Sequence, residues 1–285
     1  MVLSEGVYEL AEKFMSNPMY VSINFENLSY LSDKLRDEPP PKFPTIDSND
    51  IPKTVLLEFI GGSINYCYWY GRDDVRPGGS SSSFMYENLQ NTFFNYNFEN
   101  PMMLEACIRS FIETLTFKRF PLIEERGRHL RELIPYADKY IDLIMSGEKE
   151  DIEPYFNILI SSFPGYASDM FLKRASLFFL QLYRNFGWFK EAMKDLHIPA
   201  DYQVPKVMNN ERLIEYDTEL SYEIDTRRLI PKWSQKECEI RSATILVAKA
   251  LVDATGWNVA EVDGYFWLKR KEVTGPFHLT ITTDY

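Results

Sequence analysis

The chain of 285 residues carries 31 Lys and Arg against 42 Asp and Glu, a net charge of −11, with 45% hydrophobic and 15% aromatic residues. This much apolar and aromatic matter excludes a disordered chain and supplies a core for one large domain or two small ones. Apolar runs such as Leu177–Tyr183 fall well short of the roughly 20 residues of a bilayer-spanning helix, and the acidic balance argues against a general nucleic-acid coat.

Ser4–Phe14 and Glu26–Arg36 read as helices, and no basic segment precedes an apolar run in a way that marks a secretory signal. Pro39, Pro40, Pro41 and Pro44 end this stretch, because each ring fixes φ and removes a donor. Residues 1–50 are therefore expected to form an N-terminal helical segment ahead of a helical domain over 51–285. Strand signals are sparse and fall on Val55–Ile60 and Asn65–Tyr70. Arg76–Ser83 is a flexible loop by composition.

Beyond the loop, helices are expected over Phe84–Phe94, Met102–Phe117, Ile123–Met145, Ile152–Ser161 and Phe171–Trp188. Asn100-Pro101 pairs a capping side chain with a proline at the first helical position. Leu104, Ile108, Phe111, Ile112 and Leu115 then mark one buried face. Ser234 and Glu237 fit a capping box ahead of Cys238–Ala254, Gly256 stops that helix, and Val259–Lys271 forms another. Phe277–Tyr285 alternates β-branched residues and reads as an extended arm. The fold class is mainly α, with a few short strands and an extended C-terminal arm.

Cys67, Cys107 and Cys238 are odd in number and far apart, and His129, His197 and His278 show no metal-ligand spacing. The expectation is a reduced, cytoplasmic chain with no metal, no cofactor and no membrane partner. Walker, GxGxxG, GxSxG and HExxH patterns are absent, which removes the commonest nucleotide-hydrolase, dehydrogenase, esterase and metalloprotease readings.

Several groups of residues invite chemistry, and each has a plain alternative. Tyr66, Tyr68 and Tyr70 share one face of an extended segment and Trp69 the other, which suits a ring-stacking wall or simple core packing. Lys173 and Arg174 open an apolar helix, so the lysine either snorkels to solvent or is buried with a lowered pKa. Asp201, between Pro199 and Pro205, is either a ligand acceptor or an Asx turn. Glu237 and Arg241 make a helical pair worth ~0.3–0.5 kcal/mol if exposed, with Glu239 on another, solvated face. Asp263 and Trp267 share a face, either holding a heterocycle or standing as a surface acid above a core indole. Two basic clusters, 269–271 and 227–228, offer local positive charge.

Taken in order, these blocks resemble the queuosine-salvage family. The resemblance lies in Ile64–Trp69, Pro121–Arg126, Ser162–Tyr166, Leu172–Ala175, Ala200–Pro205, Glu237–Arg241, Asp263–Trp267, Pro276–His278 and Tyr285. It implies a fold similar to helix-hairpin-helix DNA glycosylases and hydrolysis of the N-glycosidic bond of queuosine 5′-phosphate. It also implies that Asp201 hydrogen-bonds the base with Asp263 binding it nearby, that Trp69 and Trp267 line the cleft, and that Lys173 sits by the sugar or phosphate. Tyr202, Arg174, Arg241 and His278 join the substrate-binding set, and Asp263 takes the catalytic carboxylate role beside Lys173 by default, because the family's own aspartate is missing.

This sequence departs from the family at three places. An aspartate directly after the tryptophan of the Asp263–Trp267 block is replaced by Leu268, a phenylalanine is replaced by Pro199, and the segment 73–83 is inserted. Losing the carboxylate at 268 is expected to cost several orders of magnitude unless Asp263 or Glu239 substitutes. A related reading keeps the glycosidic bond intact: a phage transferase that hypermodifies thymine in DNA, acting in the host cytoplasm and holding pyrophosphate through Lys173, Arg174, Arg241 and Arg72. The third is a non-catalytic nucleotide-binding module in which Leu268→Asp restores activity.

Overall fold

The computed structural model describes residues 2–43, 50–69, 81–93 and 101–285. Among them the architecture is mainly helical. Helix α1 (Val2–Met15) leads through a three-residue strand β1 (Val21–Ile23) into α2 (Phe25–Arg36), which Asn24 caps by accepting from the Asn27 N–H. Helix α3 (Ile51–Ser63) follows, capped by Asp50 and carrying Pro52 in its first turn. Then come α4 (Ser82–Phe93), α5 (Pro101–Phe117) and α6 (Ile123–Leu133).

The long helix expected over 123–145 is two. Pro135 has no N–H to continue the ladder, so Ile134–Tyr136 tightens to a 3₁₀ turn before α7 (Ala137–Ser146). Helices α8 (Glu153–Ser162), α9 (Pro164–Ala167) and α10 (Lys173–Phe186) precede α11 (Gln203–Asn210) and strand β2 (Ile214–Tyr216). Finally α12 (Thr218–Asp225), α13 (Gln235–Thr255) and α14 (Val259–Lys269) lead to the terminal arm. Gly187 and Gly256 end α10 and α13 in the left-handed conformation that glycine adopts without strain.

Two buried helices act as hubs. Helix α13 packs against α1, α2, α11, α14 and β1, while α3 packs against α4, α6, α7 and α10. Helix α10 touches both α3 and α14, and so ties the halves together. Strands β1 and β2 pair antiparallel, with Ser22 opposite Glu215. The sequence pattern did not show this ribbon, because three residues are too few for a period of two to register.

The strand expected at Val55–Ile60 lies inside helix α3. Every residue from Thr54 to Ser63 is buried, so no polar face exposes the helical period, and the β-branched and aromatic run imitates a core strand. Asn65–Trp69 belongs to no strand and turns at Cys67, whose φ is 37°. In the terminal arm Ile230 N–H donates to the Leu279 carbonyl at 2.8 Å and Leu229 bridges Leu279. Asn100, Tyr70, Arg72 and residues 73–80 lie outside the described residues.

The capping box expected at Ser234 is one-sided. Ser234 Oγ accepts from Glu237 N–H, but the Glu237 carboxylate accepts from Trp233 N–H instead. A full box stands at α14, where Asn258 and Glu261 satisfy each other's backbone donors. Glu239, expected in solvent, is fully buried and accepts from the N–H groups of Met19, Tyr20 and Val21. It fastens the turn between α1 and β1 to α13.

Candidate functional site

Segments far apart in sequence surround one cavity of about 410 Å³, a volume typical of small-ligand sites. Its first wall is the irregular stretch after α3. Arg126 of α6 is wholly buried and donates to the carbonyls of Ile64, Tyr66 and Cys67, with its guanidinium 4.3 Å from the Tyr66 ring centroid. Cys67 takes a left-handed φ of 37° and its N–H donates to the Tyr285 carbonyl at 2.8 Å. Such a backbone persists only where the surroundings over-determine it. Asn65, Tyr66 and Tyr68 thereby line the cavity. Trp69 stands behind them, edge-on to Phe277 at 6.5 Å, and Phe277 is the ring that lines the cavity.

Lys173 begins α10 and does not snorkel. It is buried, and its Nζ donates to the Asn65 carbonyl at 2.9 Å and to Asn65 Oδ1 at 3.1 Å. Burial lowers its pKa to about 8, opposed chiefly by Asp201. Its backbone N–H donates to Asp169 Oδ2 at 2.8 Å, which anchors the first turn of α10 after Leu172 in left-handed geometry. Asp201 lines the same cavity. Its Oδ1 accepts from the Gln203 and Val204 N–H groups at 2.7 and 3.0 Å, so it is an Asx turn and a cavity carboxylate at once. Tyr202 and Phe277 pack ring to ring with centroids 4.5 Å apart, and both line the cavity.

Arg241 joins these two residues from behind. Its guanidinium grips Asp169 with two bonds of 2.8 and 2.7 Å and donates through Nε to the carbonyl of Ala200, the residue before Asp201. Glu237 adds a longer contact of 3.4 Å. The helical pair expected on the surface is thus completely buried, sandwiched between the rings of Phe171 and Tyr285. Burial alone would raise the Asp169 carboxyl, but Arg241 and the backbone donors hold it below its ordinary value. Arg241 is therefore behind the cavity rather than on its lining. Arg174 is likewise buried, donating to Ser63 O and, at 2.9 Å, to Ser168 Oγ.

Trp267 lines the cavity from α14, whereas Asp263, one turn earlier, is buried in an ion pair with Arg184 at 2.8 Å. Burial raises the Asp263 pKa; Arg184 opposes the shift and Asp201 adds to it. Asp263 thus lies within electrostatic reach of both Asp201 and Lys173, one row back from the lining. Arg270 places its guanidinium 3.6 Å from the Trp267 ring centroid, and Lys206 and Lys271 complete the rim. Among the described residues, four of the five charged side chains on the lining are cationic, although the chain as a whole carries −11.

Leu268 is 37% exposed and is not on the lining. The position after Trp267 turns away from the cavity, so an aspartate there would not replace a missing group in it. Glu239 is no substitute either, being committed to three backbone donors. His278 is buried, its Nε2 3.1 Å from the Tyr285 hydroxyl, with a pKa pushed down to about 3 by burial and by Arg241. It lines a second cavity of about 280 Å³ that shares Lys206 and Phe277 with the first.

Sequence reasoning named Arg270 only within a basic cluster and Asn65 only within the aromatic segment, and did not name Lys206. The three-residue spacing from Gln203 to Lys206 and from Trp267 to Arg270 on their helices was the available signal. Arg184 carried no local signal, because its partner Asp263 lies 79 residues away.

The model of the family described as queuosine salvage protein matches residues 47–282. The chain belongs to the queuosine-salvage family. A relative from Dictyostelium discoideum named queuosine 5′-phosphate N-glycosylase/hydrolase is 26% identical over 253 residues, covering 78% of this chain and 75% of its own length. A relative of the same name from Sphaerobacter thermophilus is 28% identical over 191 residues, covering 58% of each. Family membership accords with the order of blocks from Ile64 onward. No helix among the described residues is long and apolar enough to cross a membrane.

Proposed function

We propose that this chain hydrolyses the N-glycosidic bond of queuosine 5′-phosphate and releases queuine. The observation that carries this reading is the meeting of Lys173 and Asp201 in one aromatic cavity whose rim is cationic. An anionic nucleotide suits that distribution: a flat base against Trp267, Tyr202 and Phe277, and a phosphate toward Lys206, Arg270 and Lys271.

In this arrangement the sugar lies between the base and the phosphate, beside Lys173 and Asp201. Departure of the base leaves positive character on the anomeric carbon and ring oxygen, which a fixed carboxylate stabilises. Asp201 holds that position because its Oδ1 is pinned by two backbone donors, leaving Oδ2 for the substrate. The Lys173 ammonium, fixed by Asn65, supplies a proton donor or an anchor for an anionic oxygen. Asp263 and its Arg184 partner form the second row, a distinct carboxylate environment of the kind that divides acid from base work.

Purified protein incubated with queuosine 5′-phosphate is expected to release free queuine, read by chromatography. Absence of release at high enzyme concentration rejects the assignment.

A further inference from the structure

The second cavity, about 280 Å³ in volume, is a compartment that the proposed reaction leaves unused. It adjoins the first, with Phe277 and Lys206 on both linings. His278 on its side and Tyr285 on the other, joined at 3.1 Å, form part of the partition. The lining comes from α11, β2, α12 and the segment 273–278. Gly275 turns that segment at a φ of 102°, a conformation that residues with side chains rarely adopt, before Phe277 enters the core.

The two compartments differ in charge. The first sets four cations against one carboxylate, whereas the second sets Lys206 against Asp225, its His278 being held neutral by burial. A further phosphate would meet Lys206 opposed by Asp225, so a polyanionic chain gains little there. What the second cavity does present is the amides of Asn209 and Asn210 and the hydroxyls of Tyr216 and Ser221. Such groups both donate and accept, which suits a ligand bearing hydroxyls. Ser221 Oγ donates to the Tyr216 carbonyl at 3.3 Å and keeps lone pairs for an incoming donor.

Queuine carries a substituent of this chemistry on its base: a cyclopentene ring with hydroxyl groups, joined through an aminomethyl link whose secondary amine is cationic at neutral pH. We propose that the second cavity is the subsite for this arm. The base lies against Tyr202 and Phe277 in the first compartment, and the arm passes Phe277 into the second. There the ammonium meets Asp225, and the hydroxyls meet Asn209, Asn210 and Ser221. The assignment rests on the queuosine 5′-phosphate reading for its ligand, but binding of the free base tests it without turnover.

Calorimetry on the full chain compares queuine with 7-deazaguanine, the same base without the arm, in wild type, Ser221→Trp and Asp225→Asn. Wild type is expected to prefer queuine about a hundredfold. Ser221→Trp fills the second cavity and should bring that preference to about one, by weakening queuine alone. Asp225→Asn removes one charge at the end of α12 and should lower the preference about fivefold. Equal affinity of wild type for the two bases overturns the subsite, as does equal weakening of both by Ser221→Trp. Should the tryptophan variant fail to fold, Asp225→Asn decides, and an unchanged preference there overturns the assignment. If queuine is preferred as expected while queuosine 5′-phosphate is not cleaved, the hydrolase reading falls and the subsite stands.

Discussion

The charges behind the cavity and those on its rim are held in opposite ways. Behind it, Asp169 and Glu237 are wholly buried and both bonded to the buried Arg241, which also holds the backbone beside Asp201. On the rim, Lys206 and Arg270 are half-buried and Lys271 exposed, in position to meet an anion arriving from water. The difference teaches that charge serves two ends here. The frame spends its electrostatics on placing Lys173 and Asp201, while the rim presents its cations at the mouth of the cavity.

The largest effect is expected from breaking the frame. Arg241→Met leaves the Asp169 and Glu237 carboxylates buried without their cation and should cost about 3–5 kcal/mol, read by denaturant unfolding. A variant as stable as wild type would show that the buried network does not hold the fold.

Asp201→Asn separates the two roles of one side chain. Asparagine still accepts from the α11 backbone, so stability should change by no more than about 1 kcal/mol. Hydrolysis should fall about a hundredfold or more. Near-normal turnover would move the carboxylate role to Asp263.

The rim predicts a milder, substrate-specific loss. Lys206→Ala and Arg270→Ala should each raise KM for queuosine 5′-phosphate about tenfold, with unfolding midpoints little changed. The nucleoside lacking phosphate should be affected far less. Equal losses for both substrates would remove the phosphate from the rim.

Lys173 sharpens the same contrast through pH. Burial lowers its pKa to about 8, against an ordinary value near ~10.4. Activity that needs the ammonium should therefore decline above about pH 8. Between those two values the unfolded chain holds a proton that the folded chain has released, so this group's contribution to stability rises with pH there. An alkaline limb near the ordinary lysine value would place Lys173 outside the rate-determining protonation. Smallest of all, Leu268→Asp should neither impair nor restore hydrolysis, because that side chain is off the lining.

Helices were the most legible part of the chain. The terminal capping and stop residues of α13, and the apolar face from Leu104 to Leu115, follow from local spacing alone. The family resemblance named Lys173, Asp201, Tyr202 and Trp267, which the fold brings onto one cavity lining. It also named Trp69, Arg174 and Arg241, which the fold sets behind that lining. Helix α3 was misread as a strand because burial on every side erases the polar face that reveals a helical period.

What the order of residues determined by itself was local: where backbone hydrogen bonds start and stop, and which side chains share a helix face. Burial was decided elsewhere. Whether Glu239 meets water or three amides, whether Lys173 reaches solvent or Asn65, and which of two aspartates faces the cavity all depend on partners from distant segments. The cost of a desolvated charge is set by those partners, and no local spacing encodes them.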